Sequence, residues 1–205
     1  MSSDSGDAPS AVSGPAEVLL FHHALGLTPG VEAFADELRA GGHTVHAPDL
    51  FDGRRFADVS EGVAHAEQIG FGAIAERGAR AAAALPDALV YGGFSLGVLP
   101  AQMLAQTRPG ARGALLLHSC IPPDEFGPWP DGLPAQIHMM DRDEWVLAPN
   151  DDLAVARGLH EAGRAQLFLY PGDRHLFAER GHADYDEDAA GLLTRRALNF
   201  LADLG

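Results

Sequence analysis

The residues of this chain best suited to breaking an acyl bond are a serine between glycines, an aspartate and a histidine, in that order. Gly93-Phe94-Ser95-Leu96-Gly97 has the form G-x-S-x-G. A serine hydroxyl is a poor nucleophile until a base takes its proton, and that base needs a partner to fix its tautomer. Two downstream segments offer such groups. Asp141-Arg142-Asp143-Glu144 follows the apolar run Gln136 to Met140, and Pro171-Gly172-Asp173-Arg174-His175 follows the run Gln166 to Tyr170. Ser95 as nucleophile, Asp143 as orienting acid and His175 as base would cleave or transfer an acyl group, with Asp141 competing for the acid's role.

A five-residue pattern gains meaning from the elements around it. This motif requires a strand before the serine and a helix after it. The apolar run Ala88 to Tyr91 reads as that strand, and the small residues from about Leu96 to Gln106 read as the helix, with Pro100 close to its start. Glycines two before and two after Ser95 leave room for a sharp turn. Six short apolar runs read as strands buried on both faces: Val18 to Phe21, Thr44 to Ala47, Ala88 to Tyr91, Ala114 to Leu117, Gln136 to Met140 and Gln166 to Tyr170.

Helical spacing lies between them. Val31, Phe34, Ala35 and Leu38 share one face before Gly41-Gly42, and Leu193, Ala197, Phe200, Leu201 and Leu204 mark a final helix. The stretch from Glu61 to Leu85 is helical but carries Gly70, Gly72 and Gly78, which predicts a break. Alternating strands and helices predict an α/β fold, a mostly parallel sheet of about six strands with helices on both faces. Ser95, Asp143 and His175 would all stand at carboxyl ends of strands, where such sheets bind ligands. Residues 1–16, rich in Ser, Gly, Pro and Ala, are expected to be a disordered tail, and residues 17–205 a single domain.

Composition narrows the function. The 205 residues carry a net charge of -15, and all 14 basic residues are arginine, which argues against a nucleic-acid partner. The N-terminus has neither a basic start nor an apolar run, and no window is apolar enough for a membrane span. A single cysteine cannot form an internal disulfide. A cytoplasmic enzyme working on a small-molecule acyl substrate is expected, as a monomer or small homo-oligomer, with no membrane partner, cofactor or metal. His22, His23 and His46 could be read as metal ligands, but no cysteine or carboxylate at zinc-like spacing completes a set. The acidic cluster Asp184, Asp186, Glu187 and Asp188 fits the positive end of the last helix better than a cation. Cys120 reads as a buried structural thiol, and His118 with Ser119 as the floor of the crevice.

Three segments together resemble the dienelactone hydrolase family of the α/β-hydrolase fold. They are Gly93 to Gly97, Asp143-Glu144-Trp145-Val146 and His175-Leu176-Phe177. His23-Ala24-Leu25-Gly26-Leu27 with Pro29, followed by Ala47-Pro48-Asp49-Leu50-Phe51, resembles that family's opening unit, and the similarity runs from Val18 to Leu204. The resemblance implies an oxyanion hole from the backbone N–H groups of Ala24 and Leu96, and a substrate pocket that includes His23, Leu25 and His118.

The chain also departs from the family pattern. Ser95 stands where the family has cysteine, and His23 where it has the glutamate that holds the thiol. Glu179 occupies the place of one arginine that clamps the lactone's carboxylate. These residues lead to an esterase or lactone hydrolase working through an acyl-enzyme on Ser95. A thioesterase or acyl transferase with the same triad remains open, as does a binding protein without catalysis.

Overall fold

The computed structural model describes residues 14–147 and 151–205. Among them, six strands form one sheet: β1 (Glu17–Phe21), β2 (Thr44–His46), β3 (Val90–Phe94), β4 (Gly113–Leu117), β5 (Ala135–Met140) and β6 (Ala165–Tyr170). Their order is β2-β1-β3-β4-β5-β6, and every neighbouring pair is parallel. The sequence expectation of a mostly parallel six-stranded sheet is met. Most of the expected tail lies outside the described residues, but its last member, Ala16, is buried and hydrogen-bonded to His43 and Thr44.

Strand β3 begins and ends later than its apolar run suggests, because it includes Gly92 and Gly93. Glycine weakens a strand signal, yet a side chain has no room here. A β-carbon at Gly92 would stand 3.0 Å from the Leu20 side chain, and one at Gly93 would stand 2.2 Å from the Gly97 carbonyl oxygen.

Alternation along the strands builds a core on each face. Val18, Leu20, Leu115 and Leu117 point toward α1 (Pro29–Ala40) and α7 (Glu187–Leu204). Leu19, Phe21, Leu116 and Ile137 point the other way. There they meet α2 (Val59–Ile69), α3 (Phe71–Ala83), α4 (Val98–Thr107) and α6 (Asp152–Glu161). A short α5 (Glu144–Leu147) follows β5. The break expected between Glu61 and Leu85 falls at Gly70, which takes φ +89°.

Caps fix the helix ends. Thr28 accepts the Val31 N–H at the start of α1, and Asp58 accepts those of Ser60 and Glu61 at the start of α2. Asp186 accepts the Ala189 N–H at the start of α7, where Glu187 and Asp188 face the positive end of the helix dipole. Pro100 sits in the first turn of α4, where a missing N–H leaves no helical bond unmade. No helix among the described residues is long and apolar enough to cross a membrane.

Candidate functional site

The strand order reverses between β1 and β3, so the loops leaving these two strands diverge and open a crevice at their carboxyl ends. Ser95 follows β3 directly and takes φ 47°, a left-handed conformation that is strained for any residue with a β-carbon. Gly93 and Gly97 themselves keep ordinary φ angles. Their contribution is space, since a β-carbon at Gly97 would stand 2.4 Å from the Phe21 carbonyl oxygen. The turn therefore packs against the end of β1, and Ser95 comes to lie beside the loop that starts at His22.

Two loops on the far side of the sheet complete the arrangement. His175 Nε2 lies 2.8 Å from Ser95 Oγ, and His175 Nδ1 lies 2.7 Å from Asp143 Oδ2. The other carboxylate oxygen of Asp143 accepts the Trp145 N–H at 2.9 Å. Asp143 and His175 are both buried. A proton on Nδ1, held by Asp143, leaves the Nε2 lone pair facing the serine hydroxyl. Such a chain can draw a proton from an alcohol. Asp141 points elsewhere: its carboxylate accepts the Gly172 N–H at 3.0 Å and braces the loop that carries His175.

The cleft above Ser95 holds about 540 Å³. Ala24 and Leu96, whose N–H groups the family resemblance assigns to an oxyanion hole, both border it, as does His118. A β-carbon at Gly62 would stand 2.0 Å from the Ala24 carbonyl oxygen, so α2 lies directly on that loop and holds it in place.

His23 and Leu25, expected to line the pocket, do not reach it. Both are buried beneath the loop. His23 Nδ1 accepts the Leu25 N–H at 3.3 Å, and Nε2–H donates to Glu179 Oε2 at 2.9 Å. The Thr28 hydroxyl donates to the other Glu179 oxygen at 2.6 Å. This buried set ties the loop after β1 to the segment after His175. Glutamate at position 23 would press two buried carboxylates together. His23→Glu is therefore expected to lower stability by about 3–5 kcal/mol. Adding Glu179→Gln, which restores a donor, should recover part of that loss. Urea unfolding of both variants checks this, and an undiminished midpoint in His23→Glu would show that the pair is not closed to water.

The other histidines are occupied structurally. His22 donates from Nδ1 to the His23 carbonyl at 2.7 Å and accepts the Leu50 N–H at Nε2. Burial lowers its pKa to about 4, which keeps it neutral. His46 turns to Glu17 at 2.7 Å and not toward His22 or His23. His118 takes φ 68° and stacks on Phe94, with both ring nitrogens buried and unpartnered. Burial holds its pKa well below the usual value. Cys120 is buried too, and burial pushes its thiol pKa up, away from reactivity.

Several cleft residues lie outside the sequence expectation. Val59, Val63 and Phe71 come from α2 and α3, while Ile121 and Phe126 follow β4. Trp145 stands with its ring 5.5 Å from that of His175, and Asp152 enters from α6. The detectable signal was weak: Trp145 sits beside the aspartate, and Phe71 is an aromatic residue just past a helix break.

The family model described as the dienelactone hydrolase family matches residues 7–205. The chain belongs to that family. It is a hydrolase acting on ester bonds, with the α/β-hydrolase fold. A dienelactone hydrolase-like promiscuous phosphotriesterase from metagenomic libraries is similar in structure, with a TM-score of 0.70 at 19% identity over 94% of this chain and 88% of that one. A cold-adapted esterase from an Arctic intertidal metagenomic library gives 0.65 at 16% identity, covering 96% and 86%. The esterase PE8 gives 0.59 at 20% identity, covering 95% and 96%. No curated protein matches the chain.

Proposed function

We propose that this dienelactone hydrolase relative is a serine esterase that cleaves small esters through an acyl-enzyme on Ser95. The observation that carries the reading is the unbroken hydrogen-bond chain Ser95 Oγ to His175 Nε2 at 2.8 Å and His175 Nδ1 to Asp143 Oδ2 at 2.7 Å. His175 takes the Ser95 proton as Oγ attacks the ester carbonyl, and Asp143 stabilises the imidazolium that forms. The N–H groups of Leu96 and Ala24 receive the developing oxyanion. Each such donor is worth roughly 10²–10³ in rate. The alcohol leaves with the proton held on Nε2. Water then attacks the acyl-enzyme, with His175 again as base, and releases the acid.

Serine changes the chemistry expected of the family. A thiolate needs a neighbour to control its charge at rest, whereas a hydroxyl stays neutral until His175 acts. The burial of His23 against Glu179, out of reach of the cleft, agrees with a nucleophile that needs no second partner. The esterase names of two structural neighbours point the same way. A fluorophosphonate probe tests the reading. It should label the protein once, at Ser95, and label Ser95→Ala not at all. An unlabelled wild-type protein would favour a binding protein built on the same fold.

A further inference from the structure

The cleft beside Ser95 is walled mainly by apolar side chains, among them Val63, Phe71, Leu99, Ile121, Phe126 and Trp145. Phe71 and Trp145 are also two of the three large hydrophobic residues that the described surface exposes, at 45% and 46%. Exposed aromatic residues at the mouth of an apolar cleft give an apolar ligand surface to cover.

The charges in the cleft have one sign. Among the described residues its lining holds the carboxylates of Asp152 and Glu125 and no arginine. Asp152 accepts the Ser119 hydroxyl at 2.6 Å and the Cys120 N–H at 3.2 Å, both on Oδ2. Both donors favour the charged carboxylate over the neutral acid. Burial works against that charge and pushes the Asp152 pKa up from the usual value. Arg142 lies in an adjoining groove that shares Trp145 and His175 with the cleft, but there it is surrounded by Glu144, Asp173 and Asp184 and pairs with Asp141 at 3.8 Å. The overall charge of -15 adds a field of the same sign.

We propose that this site takes esters of uncharged, apolar carboxylic acids, and that Asp152, with Glu125 at the rim, turns away substrates that carry a second carboxylate. The inference rests on the reading of Ser95 as the nucleophile in this cleft. It sets this chain apart from a lactonase of the family pattern, whose arginines would welcome the group that Asp152 repels.

Three p-nitrophenyl esters of matched length provide the test: the heptanoate, the pimelate monoester and the 6-(trimethylammonio)hexanoate. The heptanoate should have the highest kcat/KM and the pimelate monoester the lowest. The gap should be roughly 30-fold, the scale of two like charges about 8 Å apart at an effective dielectric constant of about 20. The cationic ester should lie between them. Equal rates for the heptanoate and the pimelate monoester would overturn the proposal. A cationic ester as poor as the anionic one would overturn it too, since the cost would then be desolvation of any charge.

Asp152→Asn should shrink the heptanoate-to-pimelate ratio by about tenfold, and an unchanged ratio would remove Asp152 from the role. The ranking in the unmodified protein stands even if that variant fails to fold. Hydrolysis of none of the three esters, together with absent fluorophosphonate labelling, would instead refute the esterase reading.

Discussion

Ser95→Ala is expected to lower the hydrolysis of an activated acetate ester by about 10⁵-fold or more while leaving the fold intact. The substitution removes one oxygen atom and nothing that holds the structure together. Ser95 Oγ has His175 as its hydrogen-bond partner, and alanine adopts the left-handed φ of 47° at the same strain that serine does. Melting temperature and circular dichroism should therefore match the unmodified protein. What disappears is the group that becomes acylated. The oxyanion donors and the cleft remain, and these alone sustain some acceleration over water. A variant that keeps more than about a tenth of the original rate would show that the reaction does not pass through Ser95.

The turn that carries Ser95 was legible because its glycines keep a short, fixed spacing around the serine. Gly93 is forced by the Gly97 carbonyl four positions on, while Gly97 is forced by the end of β1, far away in sequence. The strands were legible as well, since a parallel sheet buried on both faces demands unbroken apolar runs such as Leu115 to Leu117. Where the pattern failed, glycine was the reason. Gly92 and Gly93 fall outside the apolar run Ala88 to Tyr91 yet belong to β3, where a β-carbon at Gly93 would strike the elbow and one at Gly92 would crowd Leu20.

The pocket was harder to read because its walls come from separate elements. Val63 on α2, Ile121 after β4 and Asp152 on α6 share no spacing or motif, and only the fold brings them together. Helix α6 itself shows only Leu153, Ala156 and Leu159 as a buried stripe, and its N-cap residue Asp151 makes no side-chain capping bond. The correction at His23 has the same origin. Its partner Glu179 lies 156 residues away, and no periodicity links the two. Family resemblance placed His23 at the right loop. Its burial in a bonded set with Glu179 and Thr28 is a property of the tertiary structure.

The two aspartates near the end of β5 give the second large effect. Asp143→Asn is expected to reduce kcat by roughly 10⁴. Asparagine at this position can still accept the Trp145 N–H through its amide oxygen, so the loop after β5 should keep its shape. Its NH₂ group then faces His175 Nδ1 and donates to it, which moves the imidazole proton to Nε2. A protonated Nε2 cannot accept the Ser95 hydroxyl proton, so the serine stays a plain alcohol. The loss should fall on kcat with little change in KM, because Asp143 is buried and borders none of the cleft. Asp141→Asn should behave differently. The amide oxygen can still accept the Gly172 N–H, and the exposed contact with Arg142 at 3.8 Å contributes about 1 kcal/mol at most. Its rate should stay within about tenfold of the original protein's, since the His175 loop keeps its brace. Steady-state kinetics on one activated ester compares the two. If Asp141→Asn proves the more damaging, the orienting acid is Asp141, and the loops after β5 and β6 rearrange in solution to bring it to His175.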